Sequence, residues 1–393
     1  MHPDIKRDID QKVRDGLLST KDSRLLLKYL AERQTIRRLE PTSILAEYQC
    51  LTPWAEFLTF SEATIDDIYQ AKAAMDGKGH KQNTLRHYTQ RLKRFYEWMH
   101  ENGHPLDLTK LNKIRVPGMD RITKDAAGML SEDEIKRIIE KCGRVRDRAF
   151  FAMLYEGGFR PVELVRLCWK DIKFDEFGAV VSPSAKTKRP RYVRLISSVP
   201  YLASWRTEHP LGAREEDPVF VILPKPHTRL EYLGMTPVLK RAVRLAGITK
   251  HVTLYTFRHS RVTNMLDQEI PESVIKLQHW GSLSSTMLST YGHMSNRSQD
   301  DILLKHAGVK RGRPKGPAAM SPRQCERCQT INAPTARFCS HCGIPLTEEA
   351  QKEVTTSAAD IKKLLVENPN VQAVFMEILN QMKNQSGERQ LTK

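Results

Sequence analysis

The sequence predicts a mainly α-helical protein with one small β-hairpin or sheet, followed by a short metal-binding ribbon and a C-terminal helix. Three observations predict it. Apolar residues recur at helical spacing along most of the 393 residues. Two short β-like runs, AVVSPSA and RYVRLI, bracket the basic turn KTKRPR, as in a hairpin with a charged tip. Four of the seven cysteines crowd into one stretch near the end.

From the start to about Asn112 the pattern is helical. SRLLLKYLAERQ sets Leu25, Leu26, Tyr29 and Leu30 on one face, and LRHYTQRLKRFYEWMHENG does the same with Leu85, Tyr88, Leu92, Phe95, Tyr96 and Met99 before Gly103 and Pro105 stop it. The polar face of that second helix carries Arg86, Arg91, Lys93 and Arg94, a pattern suited to phosphates or to solvent. LNKIRVPGMDRITKDAAGM has Pro, Gly and charge with weak periodicity and reads as a linker. In MLSEDEIKRII, Ser131 with Glu134 three residues on forms a capping box that opens a second domain. Helix runs on through Trp169, the hairpin follows, and helix resumes from about Thr236 to about Ala307. HAGVKRGRPKGPAAMSPRQ, basic and without an acidic residue, reads as flexible. SAADIKKLLVENPNVQAVFMEILNQMK gives one or two amphipathic helices, with Val371, Val374, Phe375, Ile378 and Leu379 on a face suited to a partner. The expected organisation is 1–112 helical, 113–128 linker, 129–306 second domain, 307–324 basic linker, 325–346 ribbon and 347–393 helical tail.

A net charge of +17 favours a polyanionic partner, chiefly nucleic acid or an anionic membrane surface. No apolar run is long enough to span a bilayer, and the opening MHPDIKRDIDQKVRDGLL has no apolar signal-peptide region. Cys50, Cys142 and Cys168 are scattered, as in a reducing compartment. A cytoplasmic nucleic-acid protein is expected.

Three stretches carry chemistry. GGFRPVELVRLCWKDI places Arg160 after a Gly-rich turn with Glu163 three residues later. TLYTFRHSRVTNML sets Arg258 and His259 at the mouth of an apolar helix. QHWGSLSSTMLSTYGHMS ends on Tyr291. In order and spacing they resemble the three signature boxes of the tyrosine recombinase (phage integrase) family, of archaeal-integrase or Xer-like type. The resemblance is strong from about Met129 to His306. It is looser over the N-terminal helices, which look like that family's core-binding DNA-clamp domain.

The resemblance implies a site-specific recombinase that cuts and rejoins double-stranded DNA as a homotetramer, with no metal, nucleotide or membrane needed for catalysis. A phenol can form a covalent link to phosphate that conserves bond energy, and two guanidiniums can clamp the non-bridging oxygens of the phosphorane. The roles it implies are Arg160 and Arg258 as the clamp, Tyr291 as nucleophile, and Lys186, with Lys188 as fallback, as the acid for the leaving 5′ oxygen. Trp280, with His279 beside it, would hydrogen-bond the phosphate. Two departures stand out. Tyr255 occupies the place of the family's first box-two histidine, with His259 nearby, and the spacing from Trp280 to Tyr291 is longer than usual. The second departure leaves open whether the phenol serves its own subunit or a neighbour. A catalytically impaired DNA-binding protein of the same fold and a type IB topoisomerase-like relaxing enzyme are the competing readings.

CERCQTINAPTARFCSHCG spaces Cys325, Cys328, Cys339 and Cys342 as two C-x2-C knuckles, the pattern of a structural Zn²⁺ ribbon. KRGRPKG resembles an AT-hook, in which Arg311 and Arg313 would lie in a narrow minor groove. Arg86 and Lys93 complete the expected DNA contacts.

Overall fold

The computed structural model describes residues 3–120, 128–183, 191–291, 303–304, 306–309 and 319–377. The chain separates into two units, Met1–Thr123 and Lys124–Lys393. Among the described residues no helix is long and apolar enough to cross a membrane.

The first unit is helical: α1 (Pro3–Arg14), α2 (Thr20–Arg37), α3 (Pro41–Leu51), α4 (Ile65–Gly77), α5 (Gln82–Glu101) and α6 (Leu108–Lys113). The apolar stripe of α5 buries Leu92, Phe95, Tyr96 and Met99, and Tyr29 and Phe60 meet Phe95 edge-on at centroid distances of 5.1 and 5.3 Å. Burial of side chains of this size stabilises by about 1.5–3 kcal/mol each. The polar face of α5 differs from the expected open, phosphate-facing surface. Arg91 and Arg94 turn to the buried Glu47, at 2.9 and 3.3 Å. Arg86 and Lys93 are half-buried rather than on open surface: Arg86 donates to the Pro117 carbonyl at 2.8 Å, and Lys93 to the carbonyls of Asn112 and Ile114. Sequence spacing places a side chain on a helix face but does not show which later segment returns to cover that face.

The second unit is built on α8 (Val145–Glu156), in which every side chain from Ala149 to Glu156 is buried. Around it lie α7 (Glu132–Glu140), α10 (Val199–Thr207) and α12 (Leu254–Asp267); α9 (Pro161–Arg166), α11 (Thr236–Leu245) and α13 (Glu272–Trp280) complete the helices. The capping box forms, with Ser131 accepting from the Glu134 amide and Glu134 accepting from the Ser131 amide. The hairpin is the outer part of a three-stranded antiparallel sheet, β1 (Ile172–Asp175), β2 (Gly178–Val181) and β3 (Val193–Leu195), with Ala179 opposite Leu195 and Val181 opposite Val193. Strand β1 went unforeseen because IKFD is short and a single residue of it is buried. Gly178 makes the turn into β2 at φ +133°, where a Cβ would stand 2.3 Å from the Leu195 carbonyl oxygen.

The cysteine-rich segment packs on this unit. Met320, inside the stretch read as linker, is buried in the core beside α7 and α8, and Arg323–Gln324 forms a strand paired with Ile331–Asn332. A lone methionine among small residues carries no periodicity that would mark it as a core residue. Tyr201 on α10 shares a 2.6 Å hydrogen bond with Thr335. A long helix, Glu348–Glu367, follows.

Candidate active site

The site assembles where α9, α12 and α13 begin or end. Arg160 stands just ahead of Pro161, which opens α9; a proline is tolerated there because that N–H has no helical partner. Gly158, at φ +54°, turns the chain from α8 into this position. Glu163, one turn into α9, accepts from both the Arg160 amide (2.8 Å) and the Arg160 guanidinium (2.7 Å).

Thr253 caps α12, accepting from the Thr256 amide. The helix turns Phe257, Arg258, Val262 and Met265 inward and leaves Tyr255 43% exposed. Arg258 is 4% exposed. It donates to the Gly158 carbonyl and, at 2.8 Å, to the His279 carbonyl at the end of α13, and its guanidinium lies 5.7 Å from the Trp280 ring centre. Among the described residues it has no carboxylate in ion-pair contact. Burial, then the like charges of Arg191 and Arg160, push its pKa down to about 9. A buried cation in that condition lacks an anion.

Tyr291 follows the short 3₁₀ turn Met287–Thr290 and is buried with Val262, Met265, Ile275 and Leu288. Its hydroxyl lies 2.5 Å from Nδ1 of His259. Burial raises the phenol's pKa, while Arg258 and Arg160 act against that rise. A left-handed turn at Gly281 and the 3₁₀ turn lie between Trp280 and Tyr291, and the phenol packs against α12 of the same chain. Trp280 ends α13 with its ring 6.2 Å from that of Tyr291.

Arg191, outside the expected set, and His279, expected beside Trp280, also belong to the cluster. Arg191 is 6% exposed, pairs with Glu163 at 2.6 Å and donates to the His279 carbonyl. In sequence it is the last residue of a basic run, and nothing there marks it as inward. His279, beside Trp280, is fully buried; its Nδ1 accompanies the Ile275 carbonyl at 3.1 Å, while Nε2, without a partner among the described residues, faces Gly158. Burial and the nearby arginines hold its pKa well below the usual histidine value, so the ring is neutral. The structure thus gathers Arg160, Arg258, Trp280 and Tyr291 with Glu163, Arg191, His259 and His279, and leaves Tyr255 on the outward face of α12. Lys186, Lys188, Arg311 and Arg313 lie outside the described residues.

Residues 129–297, which hold the three signature stretches, match the model of the phage integrase family. Over that stretch the chain matches the phage integrase family. It is similar to the tyrosine recombinase XerA of Pyrococcus horikoshii, 24% identical over 58% of this chain and 75% of that one. It is also similar to XerC of Corynebacterium glutamicum, 26% identical over 56% of this chain and 70% of that one. In fold, it resembles a lambda integrase dimer bound to a core site (TM-score 0.54, 15% identity, 70% of this chain and 96% of that chain). XerH in a pre-cleavage complex gives the same score over 77% of this chain and 94% of that one.

Apart from this cluster, Cys325, Cys328, Cys339 and Cys342 bring their sulfurs within 4.8 Å of one another, with two pairs at 3.5 Å. None of the seven cysteines forms a disulfide. Asn332, 1% exposed, donates toward Cys339 and accepts from the amide and hydroxyl of Ser340, fixing the second knuckle.

Proposed function

We infer that this protein is a tyrosine recombinase, a site-specific enzyme that cleaves and rejoins double-stranded DNA through a covalent link to Tyr291. One observation carries the assignment of roles: Arg258 is buried beside Arg160 and Arg191 without a carboxylate of its own, and the hydroxyl of Tyr291 lies in the same cluster. A phosphodiester supplies the missing anion. Arg160 and Arg258 hold its non-bridging oxygens and stabilise the charge that grows on them as the phosphorane forms. Glu163 sets the direction of Arg160. Tyr291 attacks phosphorus to give a 3′-phosphotyrosyl bond and a free 5′ hydroxyl, with Lys186 as proton donor to the leaving oxygen. Trp280 borders the phosphate, and Tyr255, on the outer face of α12, offers a hydroxyl to the DNA backbone rather than a proton shuttle.

The solved relatives in fold include a lambda integrase tetramer on a Holliday junction and XerH on its difH substrate. By that likeness this enzyme acts as a tetramer on duplex DNA. Arg311 and Arg313 are assigned to minor-groove contacts.

We assign one structural Zn²⁺ to the four cysteines. A tetrahedral site with Zn–S bonds near 2.3 Å has sulfur–sulfur edges of about 3.8 Å, and the observed sulfur separations bracket that length. The metal supplies the cross-link that so short a segment needs in place of a core. The enzyme works inside the cell, where thiols stay reduced.

The test is a nicked suicide duplex drawn from DNA flanking the encoding gene. The wild-type chain forms a detergent-resistant covalent complex, Tyr291→Phe forms none, and Arg258→Lys slows it by roughly a hundredfold or more. Relaxation of plasmid lacking any such sequence would point to a topoisomerase-like activity instead.

A further inference from the structure

A buried phenol is a poor nucleophile at neutral pH because it keeps its proton, and burial raises the pKa of Tyr291 further. Some group must take that proton during attack. The nearby Arg160, Arg191 and Arg258 are cations and accept nothing. Tyr255 points outward. His259 is different: its Nδ1 lies 2.5 Å from the Tyr291 oxygen, the two rings tilted 32° apart with centres separated by 5.5 Å. His259 lies on the first half of α12, whose backbone carries it, and Thr263 donates to its carbonyl one turn on.

We propose that His259 is the general base of the cleavage step, a reading that rests on Tyr291 being the nucleophile. As the phenol oxygen bonds to phosphorus, its proton moves to Nδ1 of the imidazole. The bond from phosphorus to the 5′ oxygen breaks, and that oxygen takes its proton from Lys186. In the resealing direction the imidazolium returns its proton to the departing phenolate while the 5′ hydroxyl gives its own back to Lys186. Arg258, on the preceding residue, and His259 thus divide the work: the first holds the phosphate oxygens and the second holds the nucleophile's proton. The chain therefore needs no imidazole at position 255.

The experiment compares His259→Asn with His259→Ala on the suicide duplex. Asn keeps an oxygen near the Nδ1 position that can accept the phenol's hydrogen bond, but it cannot hold a proton at neutral pH. Both variants are expected to form the covalent complex about 10²–10⁴-fold more slowly than wild type, with thermal melting unchanged for Asn. Added imidazole should restore part of the rate in His259→Ala and none in Tyr291→Phe. With a 5′-bridging phosphorothiolate, whose leaving group needs no acid, the Asn deficit should persist while a Lys186→Ala deficit disappears. An Asn variant within about threefold of wild type would show that the contact only positions the phenol, and would overturn the proposal. So would an Asn deficit that vanishes on the phosphorothiolate, since His259 would then serve the leaving group. If Tyr291→Phe still forms the covalent complex, the nucleophile assignment fails instead, and that outcome is distinguishable from either of these.

Discussion

Replacing Glu163 with Gln removes one negative charge from the centre of three guanidiniums while keeping the side-chain shape. The carboxylate pairs with Arg191 at 2.6 Å, both groups being largely buried, and with the more exposed Arg160 at 2.7 Å. Loss of one partner of a buried pair costs about 3–5 kcal/mol. Gln retains one acceptor oxygen, which places this change near 3. The Arg160 pair, 37% exposed on the arginine side, adds about 0.5. At roughly 2–4 °C per kcal/mol for a unit of this size, the melting temperature should fall by about 7–14 °C. Circular dichroism melts measure it directly. A second arm uses inorganic sulfate or phosphate: with the internal carboxylate gone, added anion should recover more of the melting temperature in Glu163→Gln than in wild type. A fall of less than about 3 °C, or no difference in the anion response, would refute the view of a cationic cluster balanced by Glu163 and completed by phosphate.

Other perturbations follow from the same geometry. In Gly158→Ala the new Cβ would sit 2.2 Å from Nε2 of His279 at a left-handed φ, so denaturant unfolding should show a loss of about 2–4 kcal/mol, with covalent-complex formation abolished. Stability should also fall as pH drops below about 6.5. His279 is held neutral in the folded state by burial and then by Arg258, so the unfolded chain binds the extra proton; the slope is up to about 1.4 kcal/mol per pH unit, His209 adds in the same direction, and His279→Gln should remove the first share. Metal analysis should find one zinc per chain, and strong chelation should lower the melting temperature of the catalytic unit, because Met320 and Thr335 pack on it. Absence of bound zinc in the purified chain would reject the ribbon assignment.

How much of this was legible in the sequence depends on the reach of each signal. The helical class and the Ser131 cap are local patterns and were readable. Box order singles out Arg160, Arg258 and Tyr291, which the fold brings into one cluster, because such residues sit in short flanking motifs. Arg191 was lost in KTKRPR: its partners, Glu163 and the His279 carbonyl, lie far away in sequence, so only the fold brings them together. The same reason explains Arg91 and Arg94, whose shared partner Glu47 belongs to a different helix from theirs. His259 was adjacent to a named residue, but its role depends on where Tyr291 comes to rest after a turn of unusual length. Between His279 and Trp280 counting along the chain decides little. The fold separates them by function, the first giving its carbonyl to two arginines and the second its ring to the face of Arg258.

Mass spectrometry of the protein trapped on the suicide duplex tests the central claim most directly. The nucleotide adduct should be found on the phenolic oxygen of the peptide containing Tyr291, joined to a 3′ phosphate, and should be missing from Tyr291→Phe. An adduct on any other residue, or one carrying a 5′ phosphate, would contradict it.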